Sequence, residues 1–234
     1  MSKGKRKHWL SYVATGLRGL GVVWLLIGLI VSSEQTSDID WELGHLSGLT
    51  DQARHALERL KVEAVVTDDP EKIRAAGKVI FPGVGEARSA MTYLKDRGLD
   101  ELIRSLTQPV LGICLGMQLM CAHSEENDTE CLGIFDERVR RFRPGDSGLK
   151  VPQIGWNTIS QLKSRLFEGV PDPSYCYFVH GFHAAKGDHT IAVTDYGGPY
   201  SAALHRGNFY GVQFHPEKSA TVGERIIDNF IHRI

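Results

Sequence analysis

The 234-residue sequence has little cysteine, and its four cysteines show no C-x-x-C spacing. A disulfide framework or a zinc site built from paired thiols is therefore not expected, and the pattern favours the reduced thiols of a cytoplasmic protein. An excess of charge of either sign is also missing, because 27 basic residues face 28 acidic ones for a formal net charge of -1. This balance gives no strong positive field for nucleic acid, so a small molecule or another protein is the expected partner.

The apolar run near the amino terminus is too short to span a membrane. "LGVVWLLIGLIV", Leu20 to Val31, has 12 residues and follows the basic stretch "MSKGKRKHW", whereas a membrane span needs about 20 residues. This order resembles a signal peptide or an anchor, but the run also suits a buried first strand or an extension, which we favour. We therefore predict an atypical segment at 1–45, basic and then apolar, followed by one domain at 46–234.

From residue 50 onward, helical and strand patterns alternate, which indicates a parallel sheet with right-handed crossovers. Helices are predicted at 50–61, 70–75, 89–97 and 99–105, and strands at 63–67, 78–85 and 110–113. The second half changes to short strands separated by Gly, Pro, Asp and Asn, with a last helix at 221–234. We expect an α/β fold whose open, mainly parallel sheet carries helices on both faces, plus antiparallel additions in the second half.

The strand "VLGIC" runs directly into a helical pattern with Cys114 at the joint, in the sequence G-x-C-x-G. Small residues at these positions allow a sharp turn that projects the nucleophile above the sheet. The following helix would direct its positive end and free backbone N–H groups at the thiol, which favours a thiolate and an oxyanion. Cys121, Cys131 and Cys176 lack this glycine frame, so we predict that Cys114 is the reactive thiol.

A catalytic thiol needs a base, and "FHPEKS" offers one far along the chain. His215 and Glu217 flank Pro216 at the end of an apolar run. In extended backbone both side chains can point the same way. Glu217 would then accept from one imidazole nitrogen while the other faces Cys114.

Several separated motifs together resemble the class I (triad) glutamine amidotransferases. The motifs are "PGVGEA", "GICLGMQLM" and "GVQFHPEKS". More narrowly, "VPQIGWN", "YFVHGFH" and "HPEKS" are similar to the glutaminase subunit of imidazole glycerol phosphate synthase in histidine biosynthesis. The resemblance covers residues 56–234 and implies a flavodoxin-like sheet.

The resemblance also implies roles for individual residues. Cys114 would attack the side-chain amide of glutamine, His215 would pass a proton to the leaving ammonia, and Glu217 would orient His215. Backbone N–H groups of Val84 and Leu115 would hold the oxyanion. Residues implied to help hold glutamine are Gly83, Gly85 and Gln118.

In such a synthase, the ammonia passes to a cyclase subunit with a (β/α)8 barrel, which makes imidazole glycerol phosphate and aminoimidazole carboxamide ribotide. The motif positions implied to lie toward this heterodimer partner are Trp156, Asn157 and Lys218. We expect no cofactor, no metal and no nucleic-acid partner, and we expect a cytoplasmic enzyme rather than a membrane protein.

The sequence departs from the family pattern at two places. The glycine-rich loop that normally follows the first strand is replaced by "DIDWELGHLSGLT", and Gly181 stands where a hydroxyl-bearing residue is usual. Two alternatives therefore stay open. One is a partner-independent γ-glutamyl hydrolase of the same fold, and the other is a binding subunit whose catalysis is impaired by the altered amino terminus.

Overall fold

A computed structural model describes residues 22–25, 57–62, 64–143 and 148–234. The strands are β1 Val22–Leu25, β2 Ala64–Thr67, β3 Lys78–Gly83, β4 Val110–Cys114, β5 His123–Ser124, β6 Thr129–Glu130, β7 Arg138–Arg141, β8 Gln153–Ile159, β9 Ser174–His180, β10 Phe182–Ala184, β11 Thr190–Asp195, β12 Pro199–Arg206 and β13 Phe209–Val212. The α-helices are α1 Pro70–Ala75, α2 Ala87–Asp96, α3 Leu99–Ser105, α4 Leu115–Met120 and α5 Ala220–His232, and short 3-10 turns cover Arg165–Phe167 and Pro216–Lys218.

A seven-stranded sheet in the order β11-β12-β13-β4-β3-β1-β2 organises the fold. The five strands from β13 to β2 are parallel to their neighbours, whereas β11 and β12 are antiparallel additions. The predicted α/β architecture is therefore confirmed. Because β3, β4 and β13 are adjacent and parallel, their carboxyl ends and the loops that follow them meet at one edge.

The apolar run near the amino terminus supplies a strand of this sheet. β1 lies between β2 and β3 and pairs in parallel with both. The predicted domain boundary at residue 45 lies outside the described residues. Among the helices in the described ranges, none is long and apolar enough to cross a membrane.

Capping side chains explain where the first helices begin. Asp69 accepts a hydrogen bond from the Glu71 N–H, and Pro70 supplies the fixed φ that suits the first helical position of α1. Glu86 accepts from the N–H groups of Arg88 and Ser89, so α2 begins two residues earlier than the periodicity predicts.

The central strands are buried on both faces of the sheet. In β3, Val79 and Phe81 belong to the apolar cluster that includes α2 and α3, whereas Ile80 belongs to the cluster that includes α5. This alternation follows from the two-residue period of a strand, and helices therefore cover both faces.

Two smaller sheets form in the second half. One has the strand order β10-β7-β5-β6, and the other is the antiparallel pair β8-β9. The sequence patterns did not predict β5, β6, β8 or β10. β8 was missed because its large apolar side chains, Ile154 and Trp156, lie on the exposed face, which reverses the usual alternation of a half-buried strand.

Candidate active site

Cys114 occupies a strained turn between β4 and α4. Its backbone has φ 54° and ψ -111°, a region that side-chain-bearing residues rarely adopt and that concentrates at functional sites. Glycines make the turn possible: a Cβ on Gly116 would lie 1.9 Å from the Phe81 carbonyl oxygen, and one on Gly112 would lie 2.8 Å from the Met117 nitrogen. The glycine frame therefore permits close packing of the elbow against β3 and α4.

The loop after β3 lies beside the thiol. Gly83 pairs in register with Cys114, which brings the next residues, Val84 and Gly85, to the same cavity as Leu115. This cavity has a volume of about 370 Å³ and is called here the thiol cavity. Gly83 itself does not line the thiol cavity. A Cβ at this position would lie 2.6 Å from the Gly116 nitrogen, so Gly83 allows β3 to pack closely against α4.

His215 and Glu217 form a buried pair. The Nδ1 atom of His215 lies 2.7 Å from Oε1 of Glu217, and both side chains are almost fully buried. The expectation of extended backbone through this segment is wrong, because Pro216–Lys218 forms a 3-10 turn. Pro216 favours this turn through its fixed φ, and the turn brings the Glu217 carboxylate back to the imidazole.

The ionisation of His215 depends on its two neighbours. Burial lowers the pKa of His215, but the electrostatic attraction of Cys114 and Glu217 outweighs it, so that the pKa rises to about 10. With Nδ1 engaged by the carboxylate, Nε2 is left for the thiol side. Nε2 has no hydrogen bond of standard geometry among the described residues. Cys114 is nevertheless close enough to raise the pKa of the His215 imidazole.

A glutamine contacts the sulfur, and a second glutamine holds the first in place. The Gln213 amide nitrogen lies 3.8 Å from the Cys114 sulfur, and the Gln213 carbonyl oxygen accepts from Gln118 at 2.9 Å. Gln118 also donates to the Phe182 carbonyl oxygen at 2.7 Å. The predicted Gln118 therefore reaches the site, but its amide nitrogen is already engaged by protein acceptors.

The other three cysteines have a different setting. Burial raises the pKa of the Cys131 and Cys176 thiols to about 12, and burial also raises that of Cys121. None of the three lines the thiol cavity. Only Cys114 combines the glycine turn with the neighbouring imidazole.

Two wall residues were missed from sequence. Glu126 lines the thiol cavity and accepts a hydrogen bond from the Ala87 N–H at 2.8 Å; burial raises the pKa of its carboxyl. His180 also lines the cavity, and burial lowers its pKa to about 3, so the ring is neutral near pH 7. Glu126 lies in the polar stretch "EENDTE", whose pattern carries no sign of burial.

The three residues predicted to face a partner have different surroundings. Trp156 is exposed on β8. Lys218 lines the thiol cavity, with its ammonium 5.9 Å from the centroid of the Tyr177 ring. Asn157 instead makes a hydrogen bond within this chain: its side-chain amide donates to the Asp195 carbonyl oxygen at 2.8 Å.

The arrangement provides the parts needed for nucleophilic attack on an amide. A thiol faces an imidazole, a carboxylate orients the imidazole, and backbone N–H groups lie at the start of α4 and in the loop after β3. Within the described ranges, no group of three or more His, Cys, Asp or Glu side chains could hold a metal ion.

Comparisons with known proteins agree with this chemistry. The family model described as "Glutamine amidotransferase class-I" matches residues 39–234. A protein of Bacteroides fragilis named "Imidazole glycerol phosphate synthase subunit HisH" is 59% identical over 177 residues, covering 76% of this chain and 90% of that protein. A protein of the same name from Shewanella loihica is 46% identical over 211 residues, covering 86% of this chain and 92% of that protein.

Solved structures show the same fold at low sequence identity. A Thermoplasma acidophilum protein described as a GMP synthase component is similar with a TM-score of 0.63 and 18% identity, covering 92% of this chain and 94% of that chain. A glutamine amidotransferase from Thermotoga maritima is similar with a TM-score of 0.55 and 19% identity, covering 90% of this chain and 82% of that chain. Taken with the family match over residues 39–234, the chain belongs to the class I glutamine amidotransferase family.

Proposed function

We propose that this chain is the glutaminase subunit of an imidazole glycerol phosphate synthase and that Cys114, His215 and Glu217 are its catalytic residues. The observation that carries the proposal is the convergence of the Cys114 turn and the buried His215–Glu217 pair on one cavity. The names of the Bacteroides and Shewanella relatives support the choice of synthase. Four buried free cysteines suit a cytoplasmic protein.

In the proposed reaction, the Cys114 thiol gives its proton to His215, and the sulfur attacks the side-chain carbonyl carbon of glutamine. The carbonyl oxygen becomes an oxyanion, which the N–H groups of Leu115 and Val84 would stabilise. His215 then gives a proton to the amide nitrogen, ammonia leaves, and a thioester to Cys114 remains. His215 next activates a water molecule that hydrolyses the thioester to glutamate, while Glu217 keeps the imidazole oriented.

Glu126 is proposed to recognise the α-ammonium group of glutamine. Its carboxylate lies in the wall of the cavity and is fixed by the Ala87 N–H. A partly buried carboxylate favours a cationic ligand, because a nearby positive charge offsets its lost hydration. Glu126→Gln should therefore raise KM for glutamine by about tenfold or more and change kcat less.

The ammonia is proposed to leave toward a cyclase subunit with a (β/α)8 barrel, which docks on the exposed face of the β8-β9 sheet. Ile154, Trp156 and Tyr175 on this sheet are 65%, 54% and 62% exposed. Large apolar side chains grouped at the surface favour a protein interface. Tyr177 and Lys218 line the thiol cavity next to this sheet, so the face and the site of ammonia release are adjacent.

Glutaminase assays with and without the barrel subunit test the proposed function. Glutamate release that depends on the barrel subunit supports the synthase, and release of equal rate without it would indicate the free hydrolase. No release in either case would indicate a binding subunit. Cys114→Ala should abolish release, whereas Cys176→Ala should retain most of it because Cys176 lies outside the cavity.

Titration of this chain with the barrel subunit tests the proposed docking face. Trp156→Ala should weaken the association by about tenfold or more, because exposed tryptophans at the centre of an interface carry much of its affinity. Val66→Ala is a matched control, since Val66 is also an exposed apolar residue but lies on β2. Equal weakening by both substitutions would contradict the proposed face.

A further inference from the structure

A second cavity lies behind the wall of the thiol cavity. It has a volume of about 520 Å³ and is lined by four arginines on or next to β7; it is called here the arginine cavity, and the arginines are Arg138, Arg140, Arg141 and Arg143. Strand β10 separates the two spaces, because Phe182 lines the thiol cavity and His183 lines the arginine cavity. Alternate side chains of one strand therefore serve two different sites.

Strand pairing places two of the arginines, Arg138 and Arg140, on one face of the sheet, whereas Arg141 is paired with Phe182 and lies on the other face. Arg140 is directly opposite His183 on β10, and Arg138 is beside His123 on β5. Residues paired across strands share one face of the sheet. Phe142 directly follows β7, and its ring stacks on the His183 ring with centroids 4.5 Å apart.

Three of the arginines have no counter-charge in the described part of the chain. Among those residues, the guanidinium groups of Arg138, Arg140 and Arg141 make no ion pair or hydrogen bond. Among the lining residues that the structure describes, Glu125 is the one carboxylate; it accepts from the Arg141 backbone N–H at 2.9 Å and lies 3.8 Å from Arg143. The lining therefore carries an excess of positive charge.

The two histidines in the lining have different surroundings. Burial and the nearby Arg140 lower the pKa of His183 to about 4, so its ring is neutral near pH 7. His123 is already bound to Asp128 at 2.9 Å. The four arginines therefore supply positive charge to this cavity, although the formal net charge of the whole chain is only -1.

The remaining lining is apolar or aromatic. Leu149, Val151 and Tyr196 lie around the arginines. Guanidinium groups bind phosphate through pairs of N–H donors, which makes arginine the common residue at phosphate sites. A volume of about 520 Å³ lies in the range of sites for whole small molecules and is far more than one phosphate group needs.

We propose that the arginine cavity binds an organic phosphate, with its phosphate group between Arg138 and Arg140 and its organic part against Leu149, Val151 and Tyr196. This site is separate from the thiol cavity and does not depend on the proposed glutaminase reaction. The expected ligand has a dianionic phosphate group joined to an uncharged part of nucleoside or sugar size.

Calorimetric titration of the full chain at low salt tests this site with defined probes. AMP and ribose 5-phosphate should bind saturably, adenosine and ribose should not, and inorganic phosphate should bind more weakly than either ester. The double substitution Arg138→Gln with Arg140→Gln should weaken binding of the esters by about tenfold or more, since it removes the charged hydrogen-bond donors to the phosphate.

Two matched variants separate this site from general charge and from the active site. Arg74→Gln with Arg225→Gln removes the same charge from exposed positions on α1 and α5 and should leave binding unchanged. Cys114→Ala should also leave it unchanged, because Cys114 lines the other cavity. Thermal unfolding of each variant checks that the fold is retained.

Several outcomes would overturn the proposal. One is the absence of saturable binding by both esters up to about 10 mM, which corresponds to only about 3 kcal/mol. If inorganic phosphate bound as tightly as the two esters, the cavity would be a simple anion site. Unchanged ester binding in the double variant, with weaker association to the barrel subunit, would make the arginines part of a protein interface instead.

Discussion

The two halves of the proposed catalytic pair are held in place by different means. Cys114 is held by its backbone, in a strained turn that exists only because glycines let β3, β4 and α4 approach closely. His215 is held by side-chain hydrogen bonds, since Glu217 engages its ring and Ser219 donates to its carbonyl oxygen at 2.7 Å. The nucleophile therefore depends on packing, and the base depends on a polar network.

This difference predicts how each half fails. A turn that depends on close packing does not tolerate a small change, because even one added methyl group collides with the backbone. Single substitutions in a hydrogen-bond network remove one group at a time, and each lost hydrogen bond costs a limited amount of free energy. Substitutions should therefore act in an all-or-none manner at the elbow and in graded steps around His215.

The largest effect is expected for Gly116→Ala. Its Cβ would lie 1.9 Å from the Phe81 carbonyl oxygen, so β3 and α4 must separate. We expect the free energy of unfolding to fall by about 3 kcal/mol or more and glutaminase activity to be lost. Urea unfolding and an activity assay measure both quantities.

Gly98→Ala is the matched control for this loss. Gly98 has φ 64° and nothing within 4 Å of the added Cβ, so only the backbone penalty of about 1 kcal/mol is expected. Equal destabilisation by the two substitutions would show that close packing at the elbow is not what matters.

The next effect separates the base from its orienting partner. His215→Ala should lower kcat by about three orders of magnitude, because no proton donor remains for the leaving ammonia. Glu217→Gln should lower kcat by about ten- to a hundredfold, since the imidazole still visits the productive tautomer part of the time. In the double variant the losses should not multiply; simple multiplication would indicate independent roles.

A pH effect on stability should accompany this charge network. The pKa of His215 is raised from 6.5 to about 10 in the folded chain, so protonated His215 stabilises the fold fully below about pH 6.5, and this contribution is lost as the pH rises toward about 10. The stability difference between wild type and Glu217→Gln should therefore shrink between about pH 7 and pH 10. Urea unfolding at both pH values measures it, and a constant difference would contradict the assigned charge pairing.

The smallest effect is expected for Ser219→Ala. The Ser219 hydroxyl donates to the His215 carbonyl oxygen and accepts from the Tyr177 N–H at 3.0 Å. Losing these two bonds should cost about 1–3 kcal/mol of stability and less than about tenfold in kcat. A loss as large as that of His215→Ala would mean that Ser219 has a direct chemical role.

The sequence predicted the elements whose signals are local. The helices 70–75 and 99–105 have the predicted bounds. Asp69 and Pro70 mark the start of the first, and Gly98, in the left-handed conformation, precedes the second. β8 could not be predicted from its pattern, since Ile154 and Trp156 are apolar yet exposed. Trp156 was named from the family resemblance, but its exposure is known only from the structure.

The same limit applies to the site. Cys114 could be chosen from four cysteines because its glycines lie close to it in sequence, and the structure places it in the wall of the thiol cavity. Gln213 and Glu126 could not be chosen, because their roles come from contacts with Gln118 and Ala87 that are distant along the chain. Tertiary contacts of this kind leave no periodicity or spacing in the sequence.

Labelling with a diazoketone analogue of glutamine, followed by peptide mass spectrometry, tests the central claim most directly. The analogue should form one covalent adduct, at Cys114, and this adduct should form in step with the loss of glutaminase activity. His215→Ala should slow its formation, and excess glutamine should protect against it. An adduct that forms first at Cys121, Cys131 or Cys176, or inactivation without an adduct at Cys114, would contradict the assignment of Cys114 as the nucleophile.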